Sequence, residues 1–371
     1  MARIFILGSL ADSLVNFRRN LLEEMVAAGH QVYACAPDAS DEIKKTLLNM
    51  GVTYQDIKLE RTGMNPVKDL ITLLNLVRLI KKNRPTVFLG YTIKPVIYGS
   101  FAARLAGVPY IFSMIEGLGY AFMSAGIKRK AIGFVVSILY KYALSFNKRI
   151  FFLNQDNLSL FRKKGLVREG QPVMLNGIGV DLKKFSTASY PADVSFLLIA
   201  RLLRDKGVRE YAEAARIIRK KYPEIMFRLV GFIDEGNPAS ISEAELNSWV
   251  SENVIEYLGC LSDVRQAITD TSVYVLPSYH EGMPVTVMEA MAMGRPIITT
   301  QAPGCRETVK PGTNGFLVPV RDVTVLVEAI EHFIQQPVDV ERMGKESRRI
   351  AVEKYDVHKV NAVILKTMKL V

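Results

Sequence analysis

The sequence predicts an α/β protein made of two doubly wound, parallel-sheet domains. Three observations carry that prediction. Its 371 residues exceed what one hydrophobic core ordinarily organises, and they suit two domains. Short apolar, β-branched runs alternate with segments of helical periodicity along both halves, the pattern of consecutive βα units. Several of these runs end in glycine, at the strand-to-helix turn where such sheets bind ligands.

Residues 3–7 read as the first strand, with Gly8-Ser9 at its carboxyl end. A helix entered through Asn16-Phe17-Arg18 ends at Gly29, and residues 31–36 form a second strand. Gly8 serves either close approach to a ligand or simple closure of the turn. It is not part of a G-x-G-x-x-G, so a nicotinamide-dependent oxidoreductase is disfavoured. Strands follow at 52–57, 86–90, 109–114, 149–154 and 173–181, with helices at 65–83, 96–106 and 157–164. The strand at 109–114 runs into Ile115-Glu116-Gly117-Leu118-Gly119, a glycine-bearing loop at a carboxyl edge. Lys128, Arg129 and Lys130 then precede a helix at 131–146 that is apolar or aromatic almost all round. That helix is either an interfacial membrane element or an ordinary buried helix.

The second half repeats the pattern. A strand at 194–200 leads into Arg201 and Lys206-Gly207, then a helix from Val208. Two cations and free backbone N–H groups at such a turn can cradle phosphate, although basic surface loops are common. Further strands lie at 226–231, ending in Gly231, and at 254–259, 272–278, 296–300 and 315–318; a helix lies at 263–269 and the closing segment 344–371 is helical. After 272–278 a loop carries Glu281, and a helix opens at Pro284, carries Glu289 and closes at Gly294. Proline suits a first helical position, and the helix start attracts anions. Glu289 can accept two ribose hydroxyls and Glu281 a sugar hydroxyl. With the cations on a diphosphate, the combination describes a nucleotide sugar.

Linker composition at 186–193 sets the expected organisation: residues 1–185, residues 194–345, and a last helix at 346–371. Net charge is +11 and is unevenly placed. Residues 1–170 hold 24 Lys+Arg against 12 Asp+Glu, a net of +12; residues 171–371 hold 24 against 25, a net of −1. A basic half suggests an anionic partner: nucleic acid, acidic lipid or a phosphorylated substrate. Aromatics confined to apolar segments disfavour nucleic acid. Three distant cysteines read as reduced thiols, and neither metal-ligand spacing nor a D-x-D occurs. No run is apolar enough to span a membrane, and the short apolar start is a first strand rather than a signal peptide.

Glu281 to Glu289 resembles the E-x7-E motif of retaining glycosyltransferase family 4. Arg201…Lys206-Gly207 is similar to that family's R-x4-K-G element, and Asn176-Gly177-Ile178-Gly179-Val180-Asp181…Phe185 to its N-G-V-D-x3-F motif. The resemblance spans the chain. It implies the GT-B fold: two Rossmann-like domains facing a cleft, with the last helix returning to the first domain. Tyr91-Thr92-Ile93-Lys94-Pro95 and Glu116 to Phe122 further resemble members that act on polyprenyl-diphosphate-linked sugars, the lipid-linked N-acetylgalactosaminyltransferases above all.

On that resemblance the nucleotide sugar meets Gly8, Ser9, Arg201, Lys206, Gly231, Leu258, Glu281, Gly282, Met283, Pro284, Val285, Thr286 and Glu289. The acceptor meets Lys94, Glu116, Gly117, Lys128, Arg129 and Lys130, and Arg201, Lys206, Glu281 and Glu116 serve catalysis. Glu116 stands where many members carry His; it either accepts a sugar hydroxyl or shapes the acceptor pocket. Gly8-Ser9 stands for the common Gly-Gly. The expected enzyme is retaining, needs no metal or cofactor beyond a UDP-sugar donor, and lies peripherally on the cytoplasmic face of a membrane. Two other readings share parts of the pattern: a UDP-N-acetylglucosamine 2-epimerase, and a non-catalytic protein that binds sugar or nucleic acid.

Overall fold

The computed structural model describes residues 1–60, 65–117 and 127–371, with the backbone alone over 127–132. Contacts divide the chain into two compact units: Met1–Ile178 with His358–Val371, and Gly179–Val357.

In the first unit the chain runs β1 (Arg3–Leu7), α1 (Asp12–Asn16), α2 (Arg19–Ala27), β2 (Gln31–Ala36), α3 (Asp41–Asn49), β3 (Val52–Asp56), α4 (Pro66–Asn83), β4 (Val87–Tyr91), α5 (Ile93–Leu105), β5 (Tyr110–Ile115), α6 (Ile127–Ser145), β6 (Arg149–Phe152), α7 (Gln155–Lys163) and β7 (Pro172–Met174). The strands form one parallel sheet in the order β3-β2-β1-β4-β5-β6-β7. Order reverses between β1 and β4, and ligands of doubly wound sheets enter at the carboxyl ends beside such a switch. Ile4 to Leu7 and all five residues of β4 are buried, as strands covered on both faces must be. The helices α4 and α3 start at side-chain caps: Asn65 accepts from the N–H groups of Val67 and Lys68, and Ser40 from that of Ile43.

The second unit runs β8 (Ser195–Ile199), α8 (Val208–Lys221), β9 (Met226–Val230), α9 (Glu243–Ser251), β10 (Glu256–Tyr257), α10 (Arg265–Thr269), β11 (Val273–Leu276), α11 (Val285–Ala292), β12 (Ile297–Thr300), β13 (Gly315–Val318), α12 (Val323–Gln335) and α13 (Val338–Ile350). Its parallel sheet has the order β10-β9-β8-β11-β12-β13. Here the switch lies between β8 and β11. A π-turn at Ala351–Tyr355 ends this unit, and α14 (Val357–Met368) follows.

Two boundaries depart from the expected ones. The division falls at Ile178–Gly179, not after Phe185, because residues 180–185 are tied into the second unit. The Val180 N–H donates to the Tyr355 carbonyl at 2.7 Å, and Arg348 donates to the Phe185 carbonyl at 2.9 Å. The returning segment begins at His358, not at 346, since α13 buries Val340, Met343 and Ile350 within the second unit. From there His358 and Asn361 both reach the Glu24 carboxylate, and His30 bonds the Leu370 carbonyl. The strand expected at 254–259 shrinks to two residues at the sheet edge, and that expected at 173–181 ends at Met174.

Candidate functional site

In the second unit the two strands beside the switch point each feed one of the loops singled out in the sequence. β8 leads into Arg201 and the 3-10 turn Arg204–Lys206; β11 leads into the loop bearing Glu281. These loops are joined. The Tyr279 N–H and the Ser278 hydroxyl both donate to the Asp205 carbonyl, at 2.8 and 3.1 Å. Gly207 sits at φ +73°, and a Cβ there would lie 2.1 Å from the Pro277 carbonyl oxygen. Only glycine lets the Lys206 turn lie this close to the other strand.

Lys206 Nζ is 2.6 Å from Glu281 Oε1, with both side chains mostly buried. Arg201 Nη1 is 2.8 Å from Asp234 Oδ2, on the loop that follows β9 and Gly231. Gly231 needs its glycine too, because a Cβ would strike the Ala200 carbonyl oxygen at 1.8 Å. Thus both expected phosphate cations already hold carboxylates. Glu281 is braced from behind: its N–H donates to the Pro303 carbonyl at 2.9 Å, and Gly304 packs on its own carbonyl.

The helix α11 starts at Val285, with Pro284 as the flanking extended residue rather than the first helical one. No side chain caps this end, so the first-turn N–H groups face outward along the helix axis. Thr286 hydrogen-bonds Tyr274 at 2.7 Å, and Met283 and Pro284 are buried. Leu258 follows β10, where its N–H donates to the Leu229 carbonyl. Arg201, Lys206, Gly231, Leu258, Glu281 to Thr286 and Glu289 therefore share the carboxyl side of one sheet.

Gly8 and Ser9 belong to the first unit, at the end of β1. Gly8 abuts Tyr91, whose hydroxyl would be 2.3 Å from an added Cβ, and Ser9 pairs with Thr92 at 2.9 Å. Around them the sequence reading missed a partner set. Arg18 is almost fully buried, stacks 4.6 Å above the Tyr91 ring, and ion-pairs with Glu116. Lys94 is held by Asp69 at 2.7 Å, and Tyr98 donates to the same carboxylate at 2.9 Å. Gly117 has open space where a Cβ would stand.

Residues 15–177 match the family described as Glycosyl transferase 4-like domain, and residues 180–350 the family described as Glycosyl transferases group 1. The chain belongs to glycosyltransferase family 4. It is 29% identical, over 90% of its own length and 89% of the relative's, to the N,N'-diacetylbacillosaminyl-diphospho-undecaprenol alpha-1,3-N-acetylgalactosaminyltransferase of Campylobacter jejuni. It is 28% identical, over 79% and 77%, to the UDP-Gal:alpha-D-GlcNAc-diphosphoundecaprenol alpha-1,3-galactosyltransferase of Escherichia coli. A crystal structure of Anabaena HepE in complex with UDP and glucose superposes with a TM-score of 0.81 over the whole of both chains, at 17% identity. The glycosyltransferase therefore has the GT-B fold, with two Rossmann-like sheets.

In this glycosyltransferase, burial pushes the Glu289 carboxyl from its ordinary 4.5 up to about 7; Lys184 opposes the shift and Asp263 adds to it. Between those values the folded chain holds a proton that the unfolded chain has lost. Stability contributed at this position therefore falls as pH rises from about 4.5 to about 7, and is level outside that window. Glu289→Gln should flatten this part of the profile and raise the urea midpoint at higher pH. An unchanged slope would show that Glu289 titrates as an ordinary carboxyl.

The helix α6 buries Val136, Tyr140, Ala143 and Leu144 and exposes Phe134, Val135, Ile138 and Tyr142. It is thus neither wholly buried nor wholly free. The side chains of Lys128, Arg129 and Lys130 lie outside the described residues, as do Leu118 to Phe122. Of the missed residues, Asp234 was within reach of sequence reasoning, since it follows the glycine that ends β9. Asp69 and Arg18 carried no local signal, because each reaches its partner across the fold.

Proposed function

We propose that this glycosyltransferase transfers N-acetylgalactosamine from UDP-GalNAc to a polyprenyl-diphosphate-linked saccharide, with retention of anomeric configuration, during assembly of a surface glycan. The observation that carries the reading is the convergence of Arg201, Lys206, Glu281 and the uncapped start of α11 beside one switch point. A diphosphate leaving group needs that combination of cations and oriented N–H groups. The choice of donor and acceptor rests on the likeness to the Campylobacter jejuni enzyme along nine-tenths of the chain.

On this reading the donor diphosphate displaces the carboxylates that Lys206 and Arg201 hold at rest. Glu289 accepts the ribose hydroxyls, and Glu281, released from Lys206, accepts a hydroxyl of the transferred sugar. The acceptor hydroxyl attacks the anomeric carbon on the face from which UDP departs. As the new C–O bond forms and the old one breaks, the acceptor's proton passes to a diphosphate oxygen. Lys206 and Arg201 meet the negative charge that develops there. The chain has no D-x-D to bridge a metal to the diphosphate, and the proposal is metal-independent. The enzyme works at the cytoplasmic face of the membrane, where its lipid-linked acceptor lies.

A panel of UDP- and GDP-sugars, each offered to a synthetic polyprenyl-diphosphate sugar, tests the reading. UDP-GalNAc should turn over fastest, yield an α-linked product by NMR, and keep its rate in EDTA. A faster rate with another donor would change the sugar assignment, a β-linked product would refute retention, and loss of rate in EDTA would refute metal independence.

A further inference from the structure

The helix α4 is built in a reversed sense. Its inward side carries Asp69 and Thr72 as well as Leu76 and Ile80. Asp69 bonds Lys94 and Tyr98, and the Thr72 hydroxyl donates to the Lys58 carbonyl at 3.0 Å. Its outward side is apolar. Val67, Leu70, Ile71 and Leu74 are 67, 55, 51 and 49% exposed. Their spacing of i, i+3, i+4, i+7 makes one stripe. That stripe continues along the same face as Arg78, Lys81 and Lys82. Four large apolar side chains in water, followed by three cations, oppose the usual arrangement of a globular surface.

The helix α4 packs on α5 and α5 on α6, and the right-handed crossovers of a parallel sheet place all three on one of its faces. The exposed side chains of α6, Phe134, Val135, Ile138 and Tyr142, thus belong to the same helical layer.

We infer that α4 is a lipid-docking helix: its apolar half enters the headgroup boundary of an anionic bilayer and its basic end meets the lipid phosphates. Charge selects this occupant. A second copy of the chain would bring its own Arg78, Lys81 and Lys82 to the contact, whereas anionic headgroups answer them. The inward Asp69 gives docking a consequence, because the helix that lies on the lipid also holds Lys94 through the 2.7 Å ion pair. That consequence rests on the proposed lipid-linked acceptor; docking itself does not.

Flotation of the full chain with vesicles tests docking without donor or acceptor. The parent should float with vesicles enriched in phosphatidylglycerol and much less with phosphatidylcholine alone. Leu70→Glu combined with Ile71→Glu should lower partitioning about tenfold or more, through lost insertion and added repulsion. Lys81→Glu combined with Lys82→Glu should abolish the preference for anionic vesicles. The far-ultraviolet circular dichroism and the urea midpoint of both should match the parent's, as evidence that the first unit, which carries α4, still folds. Partitioning equal to the parent's in either double variant overturns the proposal, as does a parent that floats with neither vesicle. A dimer of the parent that Leu70→Glu with Ile71→Glu dissolves would also overturn it, assigning the stripe to a second copy. Turnover with a short, water-soluble acceptor should survive Leu70→Glu with Ile71→Glu. Vesicle binding with no turnover on any lipid-linked sugar would instead fault the proposed function and leave docking intact.

Discussion

On the proposed function, Lys206→Ala should lower kcat roughly 10²–10³-fold, the loss typical of removing one preorganised group from a developing negative charge. The expectation follows from where the side chain stands. Lys206 ends a 3-10 turn whose closure depends on Gly207 lying against Pro277, so its ammonium is held rather than tethered. Its resting partner is Glu281 at 2.6 Å. The substitution removes a cation and also leaves that carboxylate uncompensated where the proposed diphosphate would depart. Both changes oppose charge development in the transition state more than donor binding. The loss should therefore fall on kcat, with KM for the donor changed less. Lys206→Arg should recover only part of the rate, since a planar guanidinium does not replace a point charge in a fixed turn. Steady-state rates at saturating donor decide the matter, and an unchanged kcat in Lys206→Ala would refute the electrostatic role.

Glu116→Ala destabilises the protein by about 3 kcal/mol, at the low end of what breaking a buried ion pair costs. Here the buried member is the cation. The Arg18 side chain retains 3% of its exposure and that of Glu116 28%. Burial pulls the Arg18 guanidinium below its ordinary value, and the nearby Tyr91 works in the opposite direction. Without Glu116 the guanidinium keeps, among the described residues, the Phe17 carbonyl at 3.1 Å, the Met114 sulfur at 3.4 Å and the Tyr91 ring, and none of these carries a countercharge. Arg18→Met combined with Glu116→Gln should regain much of the loss, because replacing a buried pair by apolar volume is often neutral. Urea unfolding of the two variants against the parent measures both effects. A Glu116→Ala midpoint equal to the parent's would show that water, not Glu116, compensates Arg18.

Much of the fold is legible because burial on two faces leaves strong local marks. The runs 3–7, 31–36 and 315–318 are strands at the expected residues, since each is a short, mostly apolar run with buried positions. Pairings across the fold leave no such mark. Nothing near Arg18 announces Glu116, and nothing near Lys94 announces Asp69, twenty-five residues earlier. The juxtaposition of β8 and β11, which brings Lys206 to Glu281, is a property of strand order. The misplaced boundary has a like cause. Residues 186–193 have linker composition, yet Tyr190 and Thr187 lie against Gly294, and Arg295 donates to the Ser189 carbonyl at 2.6 Å. Composition reports solubility of a segment, not which body holds it.

The return of residues 358–371 to the first unit bears on how the chain is synthesised. The ribosome releases residues 1–178 before the second unit, but Val360, Ile364, Leu365, Met368 and Leu370, all buried in the folded protein, are translated only after it. The first unit must therefore wait, with part of its apolar surface uncovered, while the whole second unit emerges. Residues 179–357 amount topologically to an insertion between two pieces of one body. Cutting the gene at the apparent linker would not yield two independent proteins. Separate expression calls for a circular rearrangement that joins the 358–371 segment to the first unit directly.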